Sequence, residues 1–361
     1  MKRLSILTAI ILAAAALMAS FQNCYACTGI TLKAKDGSTV VARTIEWAAS
    51  DNDCRWVVVP RGHSWKSFIP GGGTGRSFTN IYGYVGVSVV QDELMMEGMN
   101  EKGLSAGLFY FPDYGKYEEY SEANYETNIS DFQLVSYILG RCATVDEVKA
   151  EIARVHIHGF DPRSSTVHWR FAEPSGRQIV LEIIDGKCIF YENDLGVLTN
   201  SPSFDWQLTN LNNYVNLLPG RTEPHTIGNM SLSSFGGGSA MIGLPGDFTP
   251  PSRFVRAAFF QSTAPQKPDA DGSVFTAFHI LGSMEIPIGA QFPVDETPAD
   301  IPSATQCTCV TDMSGLKFYY RSMYDGGIRC IDLKEIDFKK IGLKSEPLVP
   351  SKKEFVHHIR F

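Results

Sequence analysis

The chain has 361 residues, 44% of them hydrophobic and 20% charged, with a formal net charge of −7. That is enough chain for one large domain or two small ones with a substantial core. The acidic balance comes without a basic run or an RNA-binding signature, which argues against a nucleic-acid partner.

Lys2 and Arg3 form a short positive start, and residues 4–19 are apolar. This run has the length of a secretory signal and is short for a membrane span, and no second such run follows. The expectation is therefore an exported chain without a membrane span, periplasmic or secreted, with residues 1–26 as signal and 27–361 as one domain. A cut after Ala26, with small Cys24 at position −3, would make Cys27 the first residue. A cut after Ala19 or Ser20 would leave a short prosegment. A lipoprotein signal would lipidate Cys27, but Cys24 stands where such signals usually carry Leu. If Cys27 is first, one residue holds a thiol and a free α-amine, with ordinary pKa values near 8.5 and 7.7–8.0. Such an amine can activate its own side chain as a nucleophile.

After Cys27, alternating Ile30, Leu32 and Ala34 lead to Asp36-Gly37, then to Val40-Val41-Ala42-Arg43. Asp-Gly between two strand patterns signals a hairpin. If those two residues are the loop, Lys35 faces Ser38 and Cys27 lies opposite Glu46, with Arg43 close by. Residues 83–111 continue as strands at 85–90, 94–99 and 104–111, the last two joined by a turn at 100–103. Helices follow at 130–139 and 145–155, the second opened by a capping box of Thr144 and Glu147. Strands return at 166–172, 178–184 and 188–191, with Asp185-Gly186 as a hairpin turn. Residues 204–218, 252–262 and 274–284 read as helices, and 305–333 as strands with a turn at Asp325-Gly326-Gly327. The pattern predicts one α+β domain of stacked sheets with helices outside.

Cys24 would leave with the signal; the other cysteines are irregularly spaced, in a chain too large to need disulfide staples. Cys307-Thr308-Cys309 reads as strand rather than metal site. The eight histidines form no HExxH-type constellation, and His357-His358 reads as a solvated tail. No metal or organic cofactor is expected.

Five segments together resemble the choloylglycine hydrolases, a family of bile salt hydrolases and penicillin V acylases among the N-terminal-nucleophile hydrolases. They are Cys27-Thr28-Gly29-Ile30, Ala42-Arg43-Thr44-Ile45-Glu46-Trp47, Glu97-Gly98-Met99-Asn100-Glu101-Lys102-Gly103-Leu104, Gly196-Val197-Leu198-Thr199-Asn200-Ser201-Pro202 and Gly243-Leu244-Pro245-Gly246-Asp247-Phe248-Thr249-Pro250-Pro251-Ser252-Arg253. Any one is weak; five in order and spacing are strong. The resemblance implies a four-layer αββα fold and hydrolysis of a linear amide. It places the nucleophile on Cys27, two arginines on Arg43 and Arg253, and an oxyanion donor on Asn200. The carboxylate position, usually aspartate, is Glu46; its extra methylene displaces the carboxylate by about 1.5 Å. Phe109 and Tyr110 follow Ala106-Gly107-Leu108, where bile salt hydrolases often carry asparagine, and an aromatic there is more like the penicillin V acylases. Phe109 and Tyr110 are candidate substrate-binding residues; Gly246, Asp247 and Phe248 read as structural.

Each candidate also has an ordinary reading. Cys27 can be a small core residue, Arg43 a surface arginine, and Glu46 only its salt-bridge partner. Asn200 can serve the turn, Arg253 the helix end and Tyr110 the core. The substrate expected is a small amide: a glycine- or taurine-conjugated bile acid first, penicillin V second. A non-catalytic periplasmic binding protein on the same fold is the alternative from another class. A papain-like protease fits less well, since no local signature surrounds Cys27. Analogy with the family, whose members often assemble as tetramers, suggests a homo-oligomer.

Overall fold

The structure, a computed structural model, describes residues 25–361 apart from 72, 161–164, 293–297, 299–300, 354, 357 and 361. The expected signal thus lies outside the described residues except for its last two, as does His357.

In chain order, β1 (Tyr25–Lys33), β2 (Thr39–Trp47), β3 (Arg55–Val59), β4 (Ser64–Ile69) and β5 (Gly73–Thr79) come first. Next are β6 (Tyr84–Ser88), β7 (Met95–Asn100), β8 (Ser105–Tyr110), β9 (Asn128–Ser130), α1 (Leu134–Arg141) and α2 (Val145–Ile152). Then come β10 (His156–His158), β11 (Val167–Ala172), β12 (Gln178–Ile184), β13 (Lys187–Glu192), α3 (Phe204–Asn210), β14 (His225–Ile227) and β15 (Met230–Leu232). The chain closes with α4 (Pro250–Thr263), α5 (Ala270–Gly282), β16 (Thr305–Asp312), β17 (Lys317–Ser322), β18 (Arg329–Asp332) and β19 (Lys344–Pro347).

A five-stranded sheet runs β1-β2-β16-β17-β18, and an eight-stranded sheet runs β13-β12-β11-β8-β7-β6-β3-β19. β2 and β16 are buried along nearly their whole length because each sheet has another layer on both faces. Ile30, Val40, Ala42 and Val310 pack with Phe254, Ala257, Val274 and Phe278 of α4 and α5. Val41, Ile45, Cys307 and Cys309 pack across to Val85, Val87 and Met99 of the other sheet. On that sheet's far side Leu108, Trp169 and Leu181 meet Leu134, Ile138, Val145 and Val148 of α1 and α2. The result is the expected four-layer αββα sandwich.

The first hairpin corrects the expected register. Ala34 N–H bonds to the Ser38 carbonyl, so the loop holds Lys35, Asp36 and Gly37, and Gly37 takes φ 90°. A glycine at positive φ ending a three-residue loop is the common alternative to the two-residue turn. Cys27 therefore lies opposite Ile45, and Glu46 opposite Ala26. A one-residue slip exchanges the faces of a strand. At Asp185-Gly186 the two-residue loop does form: Ile184 pairs with Lys187 and both loop residues have positive φ.

Thr144 caps the helix as expected, its Oγ1 accepting from Glu147 N–H at 3.2 Å, while Glu147 Oε2 reaches one residue past the N-cap to accept from Ala143 N–H at 2.6 Å. The helix expected over 204–218 stops at Asn210 and continues as a 3₁₀ turn to Tyr214. Asn212 and Asn213 donate to Thr209 O and Asn210 Oδ1, local bonds that compete with helix propagation. The strand pattern did not reveal β3, β4, β5, β9, β10, β14, β15 or β19. All cysteines among the described residues are free.

Candidate active site

β1 brings Cys27 to the sheet interior, and Arg43 reaches it from β2. Both are buried, and Arg43 Nη2 donates to Cys27 Sγ at 2.7 Å. Arg43 is fixed by bonds to the carbonyls of Leu108 and Met96, and its guanidinium lies 4.0 Å from the Phe109 ring centre.

The loop carrying Asn200 is tied to β1 by a bridge in which Gly29 and Leu198 exchange backbone bonds of 2.7 and 3.1 Å. His168 adds a contact: Nε2 lies 3.0 Å from the Thr199 carbonyl while Nδ1 faces Glu182 at 3.1 Å. So held, Asn200 accepts from Cys27 N–H at 2.7 Å and donates through Nδ2 to Tyr110 O at 2.7 Å.

Arg253 enters from the first turn of α4. Asp247 organises that turn by accepting from Thr249 and Ser252. Burial opposes the charge on Asp247, but those bonds hold its carboxyl down at about 2. Arg253 donates to Cys27 O at 2.5 Å, Thr28 Oγ1 at 2.8 Å and Asn200 Oδ1 at 2.8 Å. Cys27, Arg43, Asn200 and Arg253 thus form one bonded cluster.

Glu46 sits at its edge. Its Oε1 accepts from Thr305 at 3.2 Å, and its buried Oε2 has no hydrogen-bond partner. Arg43 has a different carboxylate neighbour, Glu97 on β7, at 3.8 Å. Tyr110 is half-buried beside Asn200, whereas Phe109 is fully buried beneath Arg43. Glu97 and its partner Arg170 escaped the sequence reading; the available signal was a charge inside each of two otherwise apolar strand segments.

Burial pushes the Cys27 thiol up, while Arg43 and Arg253 pull it down and Glu46 opposes them. Burial also raises Glu46 to about 7 from 4.5, against the pull of Arg253, Thr44, Arg43 and Thr305. A carboxyl raised in the folded state stabilises most when protonated, so its contribution is full below about pH 4.5 and is lost as pH rises through 7. In the chain retaining residues 1–26, Glu46→Gln should therefore gain stability above pH 7, by up to about 3 kcal/mol, and match the parent at pH 4.5. Urea unfolding at both pH values measures this; a variant less stable than the parent at pH 8 contradicts it.

Among the described residues no group of side chains could hold a metal ion, and no helix is long and apolar enough to cross a membrane.

Comparison with known proteins agrees with this geometry. Residues 27–346 match the family described as linear amide C-N hydrolases, choloylglycine hydrolase family. The chain is 33% identical over 317 residues to a bile salt hydrolase/transferase of Clostridium perfringens, covering 86% of this chain and 93% of that protein. It is 28% identical over 334 residues to a penicillin V acylase of Pectobacterium atrosepticum, covering 84% and 79%. A crystal structure of a conjugated bile acid hydrolase variant from Clostridium perfringens superposes with TM-score 0.79 at 28% identity, over 92% of this chain and all of that one. A catalytic family of this kind sets aside the binding-protein alternative. The chain belongs to the choloylglycine hydrolase family and is a hydrolase of linear amide C–N bonds.

Proposed function

We propose that removal of residues 1–26 makes Cys27 the N-terminal nucleophile of an exported enzyme that hydrolyses conjugated bile salts. One observation carries this reading. Cys27 has Arg43 2.7 Å from its sulfur and Asn200 2.7 Å from its main-chain nitrogen. A thiol and a prospective α-amine thus share one residue, each with a polar partner.

In the reaction the α-amine takes the thiol proton, directly or through water, and the thiolate attacks the amide carbonyl. Asn200 keeps one N–H on Tyr110 O, and its second N–H is available to the oxyanion. The protonated amine then gives its proton to the departing amine as the C–N bond breaks. Water, activated by the same amine, cleaves the thioester and restores the thiol. Arg43 and Arg253 favour the thiolate, and Glu46, which pairs opposite Ala26 in the hairpin, would help to hold the free amine. Tyr110 is the proposed wall of the acyl site.

The relatives named bile salt hydrolase support the substrate, and the aromatic Tyr110 keeps penicillin V as the second candidate. Purified enzyme should release glycine from glycocholate faster than 6-aminopenicillanic acid from penicillin V. The reverse order would replace the substrate reading, and no release from either would contradict it.

A homo-oligomer, a tetramer by family analogy, is part of the same proposal. Val215, Ile227, Met230, Phe235 and Ile242 are all exposed on the segment containing β14 and β15. Apolar exposure of that extent marks an association surface. Light scattering should find a species larger than one chain; a monomer would contradict it.

A further inference from the structure

Arg43 does not stand alone under Cys27. On its far side Glu97 of β7 and Arg170 of β11 form an ion pair with Nη2 to Oε1 at 2.8 Å, both residues 1% exposed. Ser105 donates to the same Glu97 oxygen at 3.2 Å, and Arg170 Nη1 donates to Ala42 O at 3.3 Å. The other carboxylate oxygen has no hydrogen bond and faces Arg43 Nη1 at 3.8 Å. Phe109 lies against both cations, its ring centre 4.0 Å from the Arg43 guanidinium and 5.7 Å from that of Arg170.

Two glycines leave the space for this arrangement. A Cβ on Gly29 would stand 3.0 Å from Phe109 Cζ and 3.1 Å from Arg170 Nη1. A Cβ on Gly107 would stand 2.0 Å from Glu97 Oε2. The unit spans both sheets and ends at the Cys27 sulfur.

The charges do not cancel: two guanidinium groups share one carboxylate, leaving an excess that a thiolate on Cys27 would neutralise. Breaking one partner of a buried ion pair strands the other, so each member holds the next in place. Other groups also act on the charge of Cys27 or Arg43. Glu46 comes from β2, Arg253 from α4, the Cys307 and Cys309 thiols from β16, and the free α-amine from the processed chain.

We propose that Glu97 and Arg170 are positioning residues that act through Arg43, setting how readily Cys27 ionises. Glu97 restrains Arg43, and Arg170 satisfies Glu97 so that Arg43 stays on the sulfur. This rests on Cys27 being the nucleophile, so the test reads the thiol itself. The pH dependence of Cys27 alkylation by iodoacetamide, with the site confirmed by peptide mass spectrometry, would be followed in the processed enzyme and its variants.

Arg170→Met removes a positive charge and lets Glu97 draw Arg43 off the sulfur, moving the alkylation midpoint up by about one pH unit. Glu97→Gln removes the negative charge and moves it down by about one. The double variant Glu97→Gln/Arg170→Met should return to within about half a unit of the parent, because the net charge is restored. Such a double replacement is often tolerated where a single one is not, so it serves if a single variant fails to fold. Arg170→Lys, which keeps the charge, should also leave the midpoint within about half a unit.

Single variants that shift in the same direction, or not at all, overturn the proposal. So does a double or Arg170→Lys variant displaced by a full unit. Alkylation of Cys27 without loss of turnover would instead overturn the nucleophile reading.

Discussion

Cys27→Ser enzyme, processed to the same N-terminus, is expected to lose turnover by a factor on the order of 10³ or more. The substitution exchanges sulfur for oxygen in a buried position, so the fold around it changes little. The chemistry changes greatly, because a hydroxyl is a far weaker acid than a thiol and the α-amine cannot hold it ionised at neutral pH. Arg43, placed 2.7 Å from the sulfur, then has no anion to stabilise. Steady-state release of the amine product measures the effect. A serine variant retaining a tenth of the parental rate would contradict the nucleophile assignment.

Asn200→Ala should produce the second large effect, a fall in kcat of about 10²–10³ with KM changed little. Its side chain is joined to Cys27 N–H, Arg253 Nη2 and Tyr110 O at once. Truncation removes the proposed oxyanion donor and strands the buried Arg253 nitrogen, so some loss of stability, about 1–3 kcal/mol, should accompany the kinetic loss. Measuring kcat and KM separately distinguishes the two roles. A variant with unchanged kcat and raised KM would make Asn200 a binding residue and not a stabiliser of the transition state.

Much of this candidate site is legible in the sequence. The positions of Cys27, Arg43, Asn200 and Arg253 followed from motifs whose order and spacing matched a family, and the structure brings all four into one bonded cluster. Local chemistry also read well where few solutions exist, as at Thr144 with Glu147 and at Asp185-Gly186.

The first hairpin shows where such reading stops. Asp-Gly suits a two-residue loop and the last two residues of a three-residue loop alike, and the choice shifts every partner by one. That shift takes Glu46 away from Cys27 and sets it opposite Ala26. Glu97 and Arg170 were hidden for a different reason. Each lies on a strand far from β2 in sequence, and only the stacking of two sheets brings them beneath Arg43. A charge in an apolar strand announces that a partner exists without naming it.

The proposed mechanism depends most on the α-amine of Cys27. The nitrogen that faces Asn200 belongs to a peptide bond while Ala26 is attached, and a peptide nitrogen cannot take a proton from the thiol. N-terminal sequencing together with intact mass of the active enzyme tests this directly. The prediction is a chain that begins at Cys27 with an unmodified amine. Full activity in a chain that begins upstream of Cys27, or whose Cys27 amine is acylated, would contradict it.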